Sequence, residues 1–227
     1  MPQITVSGQK TTEELTNAMC TVIASNPEGT TITAEVAEGC ALNETVMQQL
    51  KEKNDKLVVI SNTSAGKVTW TFDAVENVVA FNPMAAVGAK LDEMTAKLKN
   101  SAAAYVPIGF RQEGILPGKA VVCLDLSAYS NVLKEGKSLY LYYYDPSSGL
   151  FEKVSTGALT SGKVTFVMSH CSDYAVTNAE LEKSLLSETT SPKTGDADFV
   201  VNICSVLAFF TAAAIAILLS ENERKRA

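Results

Sequence analysis

The 227-residue sequence predicts a mainly β protein: an antiparallel, β-sandwich-like module with two short helices, then a polar stalk and a single C-terminal transmembrane helix. Three observations lead there. Runs with a two-residue apolar period, rich in β-branched and aromatic residues, recur through positions 1–178. Tight-turn chemistry joins the clearest pair of them. Near the C-terminus the stretch 199–219 carries no charge and is apolar except for Asn202, Ser205 and Thr211.

Taken in order, the first element is a helix. Thr11, Thr12, Glu13 and Glu14 supply cap and first-turn residues, and Leu15, Ala18, Met19, Val22 and Ile23 follow at helical spacing up to Pro27. A strand is expected over 30–36, where threonine, isoleucine and valine alternate with turn residues on either side. Asn43 opens a second helix that puts Val46, Met47 and Leu50 on one face. Strands follow at 56–61, 67–72, 120–126, 138–144, 150–154, 163–168 and 173–176. Between 138–144 and 150–154 the sequence Asp145-Pro146-Ser147-Ser148-Gly149 is hairpin chemistry. This makes 1–178 the β-rich extracellular module, either one domain or two subdomains meeting near residue 100. Residues 179–190 read as a stalk, being rich in Ser, Thr, Glu and Asp.

Composition narrows the function. The chain carries 25 acids against 19 bases, a net charge of −6, and no Lys/Arg-rich patch in its main body, which argues against a nucleic-acid partner. Its mean hydropathy of +0.09 is high for an acidic protein. Without 199–219 the average falls to about −0.16, that of an ordinary water-exposed domain. The excess belongs to one segment. At about 1.5 Å per residue a helix over that stretch is about 31 Å long, the thickness of a hydrocarbon core. Arg224, Lys225 and Arg226 close the tail at 220–227 and, by the positive-inside rule, hold it in the cytoplasm with 1–198 outside. That outer part has 16 bases and 23 acids.

Immediately before the apolar run stand Ser191, Pro192, Lys193, Thr194 and Gly195. A Pro-x-Thr-Gly tetrad, an apolar span and a short basic tail, in that order, resemble the cell-wall sorting signal of Gram-positive surface proteins, the substrates of sortases; the resemblance covers 191–227. Ser rather than Leu at the first position is similar to the signals of some clostridial sortases. Pro192 favours an extended peptide, and Gly195 leaves the Thr194 carbonyl open to an attacking thiolate. The resemblance implies cleavage between Thr194 and Gly195, transfer of Thr194 to a peptidoglycan amine, and a precursor held in the membrane until then. The sortase is a transient partner, and the location is the cell wall. The start Met1–Val6 has neither a basic nor an apolar signal-peptide region, which predicts a truncated start or one lying upstream. The stretch Ser169-His170-Cys171-Ser172-Asp173-Tyr174, with the Tyr-Tyr-Asp-Pro hairpin, also resembles the closing hairpins of β-rich modules in clostridial and ruminococcal surface proteins, where such a turn precedes the last strand.

No enzyme is expected. His170 and Cys171 are adjacent, so on a strand they point to opposite faces and do not converge. His170, Ser172 and Asp173 are expected to bond to turn backbone while Cys171 and Tyr174 pack inward. Cys20, Cys40, Cys123 and Cys171 read as free buried thiols, with disulfides the alternative that an oxidising exterior permits, and Cys204 lies in the span. The pairs Glu13-Glu14 and Asp92-Glu93 read as exposed charges. No cofactor motif or metal-ligand spacing occurs, so neither a cofactor nor a metal is expected. The module is then a structural or adhesive unit whose ligand is a host or dietary glycan or a protein. The alternatives are a wall-tethered carbohydrate-binding or glycan-processing module, with Trp70, Tyr140, Tyr142 and Tyr144 as glycan contacts, and a permanent single-pass membrane protein. On a strand, Tyr140, Tyr142 and Tyr144 share one face, with Leu139, Leu141 and Tyr143 on the other.

Overall fold

The computed structural model describes residues 2–63, 66–89, 91–99, 101 and 103–187. They form one compact unit built on a single mixed sheet of nine strands with three helices. The chain runs β1 (Gln3–Val6), α1 (Thr12–Ser25), β2 (Thr31–Val36), α2 (Glu44–Glu52), β3 (Lys56–Thr63), β4 (Gly66–Phe72), β5 (Ala85–Val87), α3 (Asp92–Leu98), β6 (Tyr105–Asp125), β7 (Ser138–Asp145), β8 (Leu150–Ala158) and β9 (Lys163–Thr177). The strand order is β1-β2-β3-β4-β6-β9-β7-β8, with β5 added beside β6.

The first half departs from an antiparallel sandwich. β1, β2 and β3 are parallel, Ile4 facing Ile32 and Ile32 facing Leu57. The cause lies in the helices. Each carries the chain back to the end where the preceding strand began, so the next strand runs the same way. Both helices are where the apolar stripes put them. In α1 the Thr11 hydroxyl accepts from Glu14 N–H at 3.1 Å, and the Glu14 carboxylate accepts from Lys10 N–H at 2.9 Å. That reciprocal cap starts the helix. Its other end is held from outside: the Lys53 ammonium donates to the carbonyls of Ile23 at 2.7 Å, Ala24 at 3.2 Å and Asn26 at 2.5 Å, a cation at a helix C-terminus. Leu15, Met19 and Ile23 of α1 and Val46, Met47 and Leu50 of α2 are buried. They pack on the β2–β4 face that carries Ile32, Leu57, Val59, Val68 and Trp70.

From β3 onward the pairing is antiparallel. The long β6 begins at Tyr105, well before the expected strand at 120, because its first part is broken by residues that read as turns. Its register against β9 slips between Gly109 and Gly114 and again between Ile115 and Ala120. Such bulges bend and twist a strand without ending it. Gly114 sits at φ 81°, and a Cβ on Gly118 would lie 2.5 Å from the Ala74 carbonyl oxygen, so the inserted residues demand glycine. The neighbouring Pro117 carbonyl accepts from Glu76 N–H at 2.7 Å and Asn77 N–H at 2.8 Å.

The core lies on both sides of the β6–β9–β7 part of the sheet. On one side Leu139 and Leu141 join the cluster that includes Trp70, Phe166 and Tyr174. On the other, Tyr142, Tyr144 and Phe151 pack with Met94 and Leu98 of α3 and with Leu181. The alternation expected along β7 is present, but both faces are covered. The third helix, α3, supplies part of that cover.

A single hydrogen-bonded sheet crosses the chain near residue 100, with β4 on β6, so the described part is one unit. The stalk expected from residue 179 is docked as far as Ser187. Leu181 is buried, its N–H donating to the Tyr142 hydroxyl at 3.1 Å; Glu180 pairs with Lys153; and Leu186 bridges in parallel to Phe151 at the sheet edge. The leucines outweigh the polar composition there, because each removes apolar surface from water. Among the described residues no helix is long and apolar enough to cross a membrane; the span 199–219 lies outside them.

Trp70, the chain's one tryptophan, is fully buried, edge-on to Phe81 and Phe110 with centroids 5.1 Å away in each case, and its indole N–H donates to the Pro83 carbonyl at 3.2 Å. Native fluorescence should therefore be blue-shifted and move red in a single urea transition. Trp70→Phe leaves much of the ring contact, whereas Trp70→Ala is expected to cost about 3–5 kcal/mol in urea unfolding. Equal losses for the two variants would contradict this packing.

Candidate functional site

The residues with the most specific sequence pattern, Ser191 to Gly195, and the basic residues Arg224, Lys225 and Arg226 lie outside the described residues. What the structure places is the body that precedes them.

The glycan platform does not form as expected. Trp70 is in the core, and Tyr142 and Tyr144 are 1% and 5% exposed. The Tyr142 hydroxyl is occupied by Leu181 N–H, and the Tyr144 ring packs on Phe151 at 5.2 Å. Only Tyr140 reaches solvent among the four, and the Lys153 ammonium stands 4.7 Å from its ring centroid. A cation over the ring occupies the face that a sugar would stack on. Physically, an aromatic stripe on a strand finds cover wherever the fold can provide it, and α3 with the docked 181–186 segment provides it here.

His170 lies within β9, opposite Ile115 of β6, instead of in a turn before the last strand. The Tyr174 hydroxyl donates to the His170 carbonyl at 2.8 Å and lies 2.9 Å from Nδ1. One hydroxyl proton serves one acceptor, so Nδ1–H donates to the hydroxyl oxygen and Nε2 is left as the ring acceptor. The Tyr143 ring meets the imidazole edge-on at 5.0 Å. Burial pushes the His170 pKa below its ordinary value. Cys171 and Tyr174 do pack inward, and burial pushes both their pKa values upward, so the thiol stays protonated. The arrangement is a clip that ties β9 to itself, with no thiolate beside the imidazole. The four cysteines among the described residues are free, Cys40 and Cys171 buried, Cys20 and Cys123 half-buried.

The acidic pairs also find structural places. Glu14 belongs to the α1 cap, and Asp92 and Glu93 sit in the first turn of α3, where carboxylates favour the positive end of the helix. Among the described residues no group of three His, Cys, Asp or Glu is arranged to hold a metal ion.

One concave feature was not read from the sequence. A cleft of about 310 Å³ opens at the carboxyl ends of β1, β2 and β3. The loop after β1 brings Gln9 and Lys10 to it, β2 brings Glu35, β3 brings Ile60 and Asn62, and β4 brings Lys67 from opposite Asn62. Parallel strands end together, which is why residues as distant in the sequence as Gln9 and Lys67 share this wall. The available signal was the βαβαβ order from Gln3 to Thr63; it needed β1, which is too short for detection by alternation. No protein-family model matches the chain, and no curated protein matches it.

His170 supplies a pH test. The unfolded chain takes up a proton near the ordinary histidine value of about 6.5, which the folded ring resists. Stability is thus lost as pH falls through about 6.5, where the unfolded state binds more protons. Glu152 and Asp173, with pKa values raised by burial, act in the opposite sense at lower pH. Urea unfolding of wild type and His170→Gln at about pH 7.5 and 5.5 should show the steeper acid loss in wild type. Parallel losses would sink this assignment.

Proposed function

We propose that the chain is a Gram-positive cell-surface protein that a sortase cuts between Thr194 and Gly195 and joins through Thr194 to peptidoglycan. The folded body, described as far as Ser187, is then a structural or adhesive module without catalysis of its own. The observation that carries this reading is the order of three parts within 191–227: Ser191-Pro192-Lys193-Thr194-Gly195, the uncharged run 199–219, and Arg224-Lys225-Arg226. In this reading 199–219 crosses the membrane as a helix, and the bases hold the tail in the cytoplasm until cleavage.

The step balances as a transpeptidation. The sortase thiolate adds to the Thr194 carbonyl, the Thr194–Gly195 amide breaks with protonation of the Gly195 amine, and a peptidoglycan amine then displaces the thiol. This chain contributes the acyl group alone. The alternative of a permanent single-pass protein differs in one observable, the retention of 195–227.

Expression in a Gram-positive host with a matching sortase tests it. Wild-type protein should be released by muralytic digestion and carry a C-terminal Thr194 linked to a muropeptide in its mass spectrum. Thr194→Ala should stay in the membrane fraction and still carry 195–227. Identical size and wall attachment of the two proteins would overturn the proposal.

A further inference from the structure

Helices α1 and α2 pack on one face of β2–β4, and the same side of β6 and β9 supplies Val122, Leu124, Val164 and Phe166 to that core. The opposite face of β3, β4, β6 and β9 is ordered as well. Its residues alternate with the core residues, so the strands fix their direction. Pairing sets them in rows. Val58 stands beside Thr71, Thr71 beside Val121 and Val121 beside Val167; two residues along, Ile60 stands beside Thr69, Thr69 beside Cys123 and Cys123 beside Thr165. Val121 is 39% exposed, one of two large apolar side chains so exposed among the described residues, and Val58, Ile60, Cys123 and Val167 are half-buried.

The rows on either side of these two are charged. Lys67 begins β4 and Asp73 follows its end, while Lys119 and Asp125 hold the matching places on β6, Asp125 next to Lys67 and Lys119 next to Asp73. The Lys56 ammonium reaches the Asp73 carboxylate at 2.9 Å, as expected of two residues on this face. Such a face is complementary to itself. Turned by a two-fold axis lying in the sheet plane across the strands, a second copy sets each strand antiparallel over its own counterpart. Lys67 then meets Asp73 of the second copy, and Lys119 meets its Asp125. No like charges meet, since Lys56 falls over Asn62 and Lys163 over Ser169. Between the charged rows Val58 falls over Ile60, Val121 over Cys123 and Thr69 over Thr71. A two-fold axis along the strands instead puts Val121 on Thr71 and Ile60 on Thr165, apolar groups on hydroxyls. The parallel pairing of β1, β2 and β3 adds a second argument, because parallel strands are ordinarily covered on both faces and the helices cover one.

We propose that this face joins two copies of the chain, sheet on sheet, with β3, β4, β6 and β9 each antiparallel over itself. Two sheets packed about 10 Å apart leave lysine and carboxylate side chains long enough to meet. Four strands about 4.8 Å apart, each about seven residues long at about 3.3 Å per residue, make a face of roughly 440 Å². A standard interface takes about 800 Å² from each partner, so the dimer is weak, with a dissociation constant in the micromolar range or above. The assignment goes beyond wall anchoring and does not depend on it.

Sedimentation of the full chain in detergent micelles, over a concentration series reaching the millimolar range, tests it. Wild type should pass reversibly from monomer to dimer. Val121→Lys, at an exposed position, should abolish the dimer at an unchanged melting temperature, and Lys119→Glu should weaken it about tenfold by setting a carboxylate against Asp125 of the second copy. Val121→Cys should oxidise onto Cys123 of the second copy to give a covalent dimer, which disappears when Cys123→Ser is added. A monomer at every concentration would overturn the proposal. So would a dimer that survives Val121→Lys, as one held by 199–219 would, and so would a Val121→Cys variant that fails to cross-link or cross-links without Cys123.

Discussion

The pairing of β6 with β9 is the constraint on which the rest of the described structure depends. β6 is 21 residues long and is the strand that meets β4, β5 and β9, so it joins the parallel first half to the antiparallel second half. Bulges let so long a strand bend without ending. The two slips in register, each with extra residues on the β6 side, let the first part of β6 follow the end of β9 and the last part follow its beginning. Side chains from both parts, Ile108 and Phe110 as well as Val122 and Leu124, then reach one core. Pairing across the bulges is what makes a single hydrophobic cluster out of segments that alternate around proline and glycine.

Much of the mainly β character was legible, since β-branched residues mark strands such as β3 and β4 and alternating leucine and tyrosine mark β7. The helices α1 and α2 were legible from their stripes and caps. What failed to show has common physical causes. β1 and β5 are too short for a period to declare itself. The short α3 lacks a side-chain cap, and only Met94 and Leu98 mark its buried face. The first part of β6 holds Pro107, Gly109, Gly114, Pro117 and Gly118, which read as loop until the bulges supply their reason. Strand direction, parallel or antiparallel, is not written in a strand at all; it follows from whether the connection is a tight turn or a helix.

The aromatic residues show the same limit on the functional side. Alternation correctly divides β7 into two faces, yet it does not say what lies over each. Tyr142 and Tyr144 would be exposed on a two-layer protein with a free outer face; α3 and the 181–186 segment turn that face into a second core. The cleft was hidden for a complementary reason. Lys10 and Lys67 come to line one cleft only through the ordering of β1 to β4, and neither has a local motif to draw attention. By contrast the order of motif, apolar run and bases within 191–227 is visible in the sequence because it is linear along the chain.

The docked segment before Ser187 has a mechanical consequence. Tension on the chain beyond that point falls first on the Leu186–Phe151 bridge and the Lys153–Glu180 pair, which give way before β9 is loaded. β9 is a far stiffer second stage. It is bonded to β6 along most of its length and to β7 at its end, with bonds perpendicular to the strand. A pull along its axis strains these bonds together in shear instead of peeling them one by one. A weak outer latch in series with a strong inner ladder means that, under such a pull, the 181–187 segment would yield while the sheet and its core stay closed.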